Sequence, residues 1–170
     1  MAYDFGGYNA SCGVIFGHAV AYTTILCYHA LMFERCLYFN VNALARAVSR
    51  IWGDSFKELG LSPAHAYLLR LVLVSPGISH KAIASELRLE KSTITRFVDS
   101  LQDKGLVERS RQGAEDNREQ RVFPSEKAKN MQEALEATGD ALYKRMRSRL
   151  GDAEMKVLVA QLREATRLLS

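Results

Sequence analysis

Apolar residues at Leu37, Val41, Leu44, Val48, Trp52, Phe56 and Leu59 recur at steps of three or four, the spacing of one helix face. Gly60 ends that run. Ser62-Pro63 follows as an N-cap with proline at the first helical position, and the apolar "AHAYLLRLVLV" predicts a second helix, stopped by Ser75-Pro76-Gly77. Ser79 is placed to cap a third, "HKAIASELRL", with Ile83 and Leu87 inward. A short turn after Leu89 leads into "EKSTITRFVDSLQDKG". There Ile94, Val98 and Leu101, with Phe97 beside them, form a stripe that Gly105 ends. Two short helices joined by about four residues, the second polar in its first turns, make a helix-turn-helix pattern.

The period then changes to two. In "LVERSR", Val107 and Arg109 alternate with Glu108 and Ser110; "QGAEDN" reads as a polar turn and "REQRVF" as the returning strand. A hairpin attached to a helix-turn-helix is a winged helix, so the expected fold is mostly α with a small β-hairpin wing. Ser125 is expected to cap a helix to about Leu150, striped by Met131, Leu135, Leu142, Met146 and Leu150, with Gly139 a weak point. Gly151-Asp152 opens a last helix carrying Met155, Leu158, Val159, Leu162, Leu168 and Leu169.

Composition adds bounds. The 170 residues, 48% hydrophobic and 25% charged, suffice for one domain or one plus an extension. The balance of 23 Lys+Arg against 19 Asp+Glu is mildly basic. It is not concentrated in residues 80–127, which hold ten basic and nine acidic side chains, so attraction to phosphate must come from placement. Three cysteines, Cys12, Cys27 and Cys36, with no CxxC, argue against a disulfide scaffold and for a reducing, cytoplasmic setting. Residues 1–11 lack Lys and Arg, so a signal peptide is not expected, and Met32 is a candidate start for the folded unit. Cys12 to Phe33 carries no formal charge over 22 residues, enough in length to cross a bilayer. Its Gly, Thr, Tyr and His content favours a buried or interfacial segment, and a membrane-associated regulator using residues 12–33 is the alternative.

The chemistry concentrates in the helix that opens at Glu90. Ser92, Thr93 and Thr95 are poor helix formers, and Arg96 is a long cation. A major groove admits one helix; short hydroxyls let its backbone approach, and Arg can fork onto guanine or phosphate. The bland reading is that Ser92 and Thr93 merely cap while the rest is solvated. In the wing, Arg111 and Arg118 are candidates for a narrow minor groove, with Asp116 holding a guanidinium in position; the bland reading is a solvated hairpin. No HExxH, GxSxG, P-loop or dinucleotide fingerprint is present, so neither an enzyme nor a cofactor is expected. Cys12, His18, Cys27, His29 and Cys36 lack the compact pairs of structural zinc sites, so no metal is expected either.

From about Leu37 onward the chain resembles the MarR (multiple antibiotic resistance regulator) family of winged-helix transcription factors. "LSPAHAYLLRLV", "SHKAIASELRLEKSTITRFVDSLQDKGLVERSR" and "EDNREQRVFPSEKA" carry the likeness. The family's wing signature is Asp-x-Arg, several residues, Leu-Thr, two residues and Gly. Asp116 and Arg118 match it, whereas Pro124-Ser125 and Ala128 depart and should slightly weaken the following cap. The resemblance implies a homodimer on a pseudo-palindromic double-stranded operator, acting as a repressor that a small ligand or thiol oxidation releases. By it, residues 1–36 are an extension, 37–60 a dimerisation helix, 61–124 the winged helix-turn-helix and 125–170 C-terminal dimerisation helices. Ser92, Thr93, Thr95 and Arg96 would meet the major groove, and Asp99 would pair with Arg118. The two reading heads would suit half-sites about one turn, ~34 Å, apart.

Two inputs are open. "RCLYFNVNALAR" is similar to the first helix of the organic-hydroperoxide branch, where a cysteine near Cys36 becomes sulfenic acid. Arg35 and the helix start would favour such chemistry, but Asn40 and Arg50 stand near the places of that branch's tyrosines. The bland reading is a buried, inert thiol. The other input is a small molecule between the dimer helices and the winged domain, lined by Trp52 and His65, which otherwise are plain core residues.

Overall fold

The computed structural model describes residues 33–110 and 120–169. The chain divides into two units within the first helix of the described residues, between Ala47 and Val48. Helix α1 spans Leu37–Phe56 and passes into a 3-10 turn, Lys57–Leu59, ended at a left-handed Gly60. In the first unit Cys36 precedes the helix. Its sulfur accepts the Phe39 N–H at 3.5 Å, while the Asn40 amide donates to the carbonyls of Phe33, Glu34 and Cys36 at 2.9–3.0 Å. Asn40 therefore ties down the turn and does not address the thiol. Leu37, Tyr38, Phe39, Val41 and Leu44 are exposed.

The second unit holds the core. Helix α2 (Pro63–Val74) is launched as expected, Ser62 Oγ accepting the His65 N–H at 3.3 Å. Strand β1 (Ile78–Ser79), helix α3 (His80–Leu87) and helix α4 (Lys91–Asp103) follow, then β2 (Val107–Ser110) and β3 (Arg121–Pro124). Helices α5 (Glu126–Asn130), α6 (Gln132–Leu150) and α7 (Asp152–Leu169) complete it. Leu68, Leu69 and Val72 from α2, Ile83 from α3 and Ile94, Val98 and Leu101 from α4 are fully buried with Val122 and Leu135. Each such side chain contributes roughly 1.5–3 kcal/mol through burial. This is the apolar stripe the periodicity predicts, satisfied within the chain.

Two features differ from expectation. The sheet has three antiparallel strands in the order β1-β3-β2, the hairpin being joined by the two-residue β1 with Ile78 opposite Val122. Gly77 makes that addition possible. At φ +80° its amide donates to Val122 O at 2.9 Å, and a Cβ would lie 3.0 Å from the Phe123 ring. The helix expected from Ser125 to Leu150 is also broken at Met131. Ser125 does cap, accepting the Ala128 N–H at 3.2 Å and donating to Gly105 O at 2.7 Å. Lys127 Nζ donates to Lys104 O at 2.8 Å. These bonds fix the first turn to the end of α4, and the Met131 N–H is shared between Lys127 and Ala128 carbonyls as the chain turns. The substituted wing signature thus retains its cap.

Arg70 of α2 forms an ion pair with Glu136 of α6, its Nε donating to Oε1 at 3.1 Å. Leu135 and Leu142 are the buried residues of α6, whereas Leu150 is exposed. On α7 Met155 is buried, and Val157, Val159, Leu162, Leu168 and Leu169 are exposed.

Candidate nucleic-acid interface

Helices α3 and α4 are joined by a turn in which Arg88 takes a left-handed φ of 52° and the Leu89 amide returns to Ala84 O at 3.0 Å. A side chain in that conformation costs of order 1 kcal/mol or more, which this tight turn tolerates. The N-cap of α4 is Glu90, with no side-chain hydrogen bond. Ser92 and Thr93 therefore do not cap; the Thr93 and Ile94 amides already donate to Glu90 O at 2.9 and 3.1 Å, and the Lys91 and Ser92 amides precede the first helical carbonyl acceptor.

Ser92 and Arg96 are exposed, and Thr93 and Thr95 are half-buried; only Ile94 in this stretch is packed inward. Thr95 differs from expectation in one respect. Its hydroxyl donates to Lys91 O at 3.0 Å, so its proton is used inside the helix and its oxygen keeps only acceptor capacity. Lys81, Arg88 and Lys91 are exposed as well, so the helix-turn-helix presents cations that total charge does not reveal.

Asp99 is held by Arg109 of β2 in an ion pair, and the same guanidinium reaches Thr95 O at 3.4 Å. The expected partner of Asp99, Arg118, lies outside the described residues; Arg109 was not assigned from sequence, although the alternation of "LVERSR" places it on the side of buried Val107. Arg111, Asp116 and Arg118 lie outside the described residues, as do Cys12, Cys27, His18, His29 and the uncharged stretch up to Met32. No helix among the described residues is long and apolar enough to cross a membrane.

The two pocket candidates have internal partners. Trp52 Nε1 donates to Tyr67 Oη at 3.0 Å. His65 Nδ1 lies 3.0 Å from Ser62 Oγ, and its ring meets Phe97 of α4 edge-on, centroids 5.0 Å apart. Burial, and then Lys104, lower its proton affinity below that of an ordinary histidine. His65 thereby links the start of α2 to the back of α4. The buried His80 at the start of α3 was not singled out from sequence, though its spacing to Ile83 and Leu87 continues the inward stripe.

Comparison with known proteins bears on this region. The sequence model described as the MarR family matches residues 59–119. An uncharacterized HTH-type transcriptional regulator of Bacillus subtilis, YybA, is 26% identical over 101 residues, 59% of this chain and 67% of its own. The PcaV transcriptional regulator of Streptomyces coelicolor, in complex with its natural ligand, has a TM-score of 0.72 at 19% identity, over 81% of this chain and 96% of that one. A MepR–DNA complex from S. aureus has a TM-score of 0.70 at 15% identity, over 79% and 98%. These two solved structures share the fold. The sequence match falls largely on the residues that fold as helix-turn-helix and first wing strand, so this part of the chain is similar to the MarR family, and the chain shares the winged-helix fold of these solved structures.

Proposed function

We propose that this protein is a homodimeric repressor that occupies a pseudo-palindromic operator in double-stranded DNA. The carrying observation is the first half of α4: an uncapped N-terminus with exposed Ser92 and Arg96, backed by a wing strand that Arg109 ties to Asp99. Ser92, Thr93, Thr95 and Arg96 enter the major groove, and Arg111 and Arg118 of the wing loop, with Asp116, address the minor groove. That the S. aureus relative in fold was solved with DNA supports this reading.

In the same proposal residues 37–60 and 125–170 are dimerisation helices around a winged helix-turn-helix at 61–124. Support comes from apolar side chains that the monomer leaves exposed, Leu37, Tyr38 and Phe39 on α1 and Val159, Leu168 and Leu169 on α7. A small effector near Trp52 and His65 releases the DNA, a reading favoured by the ligand-bound regulator among the structural neighbours. The test is a gel shift on the duplex upstream of the protein's own gene, with light scattering for mass. Binding that falls steeply with salt, by a dimer, is expected; salt-insensitive or absent binding refutes the reading.

A second reading adds a thiol switch at Cys36. Its sulfur accepts an N–H in the first turn of α1, where a helix favours negative charge. Peroxide is then expected to release DNA from wild type and not from Cys36→Ser. An equal response in both removes this reading.

A further inference from the structure

Lys104, the C-cap of α4, is bonded through both its side chain and its main chain. Its Nζ donates to Gly60 O at 3.1 Å, and its own carbonyl accepts from Lys127 Nζ of α5 at 2.8 Å. Gly60 closes the turn that ends α1, with a left-handed φ of 67° and its amide returning to Lys57 O at 2.9 Å. A carbonyl at a helix end has no partner within the helix, and a cationic donor satisfies it more strongly than a neutral one. The dipole of α4 also favours a cation at its last turn.

A second contact falls on the same side of α4. Phe97 stands seven residues before Lys104, so the two share a helix face. The Phe97 ring meets His65 edge-on, centroids 5.0 Å apart, and His65 Nδ1 lies 3.0 Å from Ser62 Oγ. One face of α4 is therefore held at two points, ~10 Å apart along its axis, by the segment from Gly60 to His65 that joins α1 to α2. Leu61 in that segment is buried. The part of α1 before it, which belongs to the same unit, is anchored by buried Phe56 and by the Trp52–Tyr67 bond.

Resting on the DNA-binding reading above, we propose that Lys104 is a positioning residue: it registers α4 to both segments assigned to dimerisation, residues 37–60 through Gly60 and residues 125–170 through Lys127, and so sets the half-site spacing that the dimer accepts. Lys104 itself touches no DNA in this role, since Ser92 lies ~18 Å up the same helix. Held at Phe97 and Lys104, α4 keeps its direction relative to the end of α1. Held at Phe97 alone, with Ile94, Val98 and Leu101 still in the core, it keeps its depth and loses its charged stop. Each half-site is then still bound, while the distance between two of them is less strictly enforced. One base pair moves a half-site by ~3.4 Å and turns it by roughly 35°, so a small change in the direction of α4 decides which spacing fits.

The experiment compares the full chain and its variants on two duplexes: the segment upstream of its own gene, and the same segment with one base pair inserted at the centre of the protected footprint. Wild type is expected to bind the lengthened duplex about tenfold more weakly, and Lys104→Met only about threefold more weakly. Methionine keeps the helix propensity of lysine and removes the donor. Lys104→Arg keeps a cationic donor and should restore the wild-type ratio. Lys127→Met should also narrow the ratio, and takes the place of Lys104→Met if that variant does not fold. An equal ratio in wild type and Lys104→Met, whatever the affinities, overturns the proposal and leaves the DNA reading intact; so does a wild type that takes both duplexes equally. A second readout needs no DNA. Amide-exchange protection of Gly60 and Leu61, bonded to the Lys57 and Phe56 carbonyls, should fall in Lys104→Met and hold in Lys104→Arg. Unchanged protection in Lys104→Met removes the tie to Gly60 and the proposal with it. Absent binding by wild type, with that protection loss present, refutes the DNA reading and leaves the tie standing.

Discussion

Arg109 on the first wing strand and Asp99 on helix α4 are joined by an ion pair, although neither lies in the segment between the wing strands that sequence signatures emphasise. The arginine is mostly buried and the aspartate half-exposed, so the pair is shielded on one side only. It ties strand β2 to the middle of α4.

Breaking this tie should separate stability from binding. Arg109→Ala is expected to cost no more than about 1 kcal/mol in urea unfolding, as partly exposed pairs do. Duplex affinity should fall about tenfold, equivalent to ~1.4 kcal/mol, measured by fluorescence anisotropy. A stability loss with unchanged affinity would deny the pair its positioning role.

Direct contacts should respond differently. Arg96→Ala is expected to weaken operator binding by about 1–3 kcal/mol. If its contact is to phosphate, the slope of log affinity against log salt should shrink by about one; if to a base, discrimination at one operator position should relax. Arg118→Ala, between the two hairpin strands in sequence, is expected to lose a similar amount. Wild-type affinity in either variant would remove that residue from the interface.

Stability should depend on pH through His65 and His80. Both hold their protons less readily folded than unfolded, burial being the first cause in each. The unfolded chain therefore takes up protons first as pH falls. The contribution is full well above 6.5 and is lost as pH drops through that value toward the folded pKa of each ring. Urea midpoints should be lower near pH 5.5 than near 7.5, and His65→Gln and His80→Gln should each remove part of the difference. A midpoint that rises on acidification would contradict the buried, neutral assignment.

Gly139 has a packing reason to be glycine. A Cβ there would lie 2.8 Å from Nη1 of Arg70, which is tethered to Glu136 one turn earlier. Alanine in place of glycine normally gains about 1 kcal/mol in a helix interior. Gly139→Ala should gain clearly less than that in wild type and the full amount in an Arg70→Ala background, a double-mutant cycle in urea. Equal gains in both would mean that Arg70 moves aside at no cost.

Much of this molecule follows from local pattern. Helix faces, the Ser62, Ser79 and Ser125 caps and the strands on either side of the wing loop are written in steps of three, four and two, because each depends on residues a few positions apart. The donor-rich start of α4 was legible for the same reason, since a helix exposes what its apolar stripe does not bury. Strand β1 was not, because two residues carry no period and exist as a strand only where β3, more than forty positions away, lies beside them. Nor was the choice of Arg109 as the partner of Asp99: alternation gives a side chain its face, but only the folded sheet brings that face onto a particular carboxylate. His80 shows the same division. Its spacing to Ile83 and Leu87 continues an inward stripe, but its burial and the lowered proton affinity that burial causes exist only in the folded core.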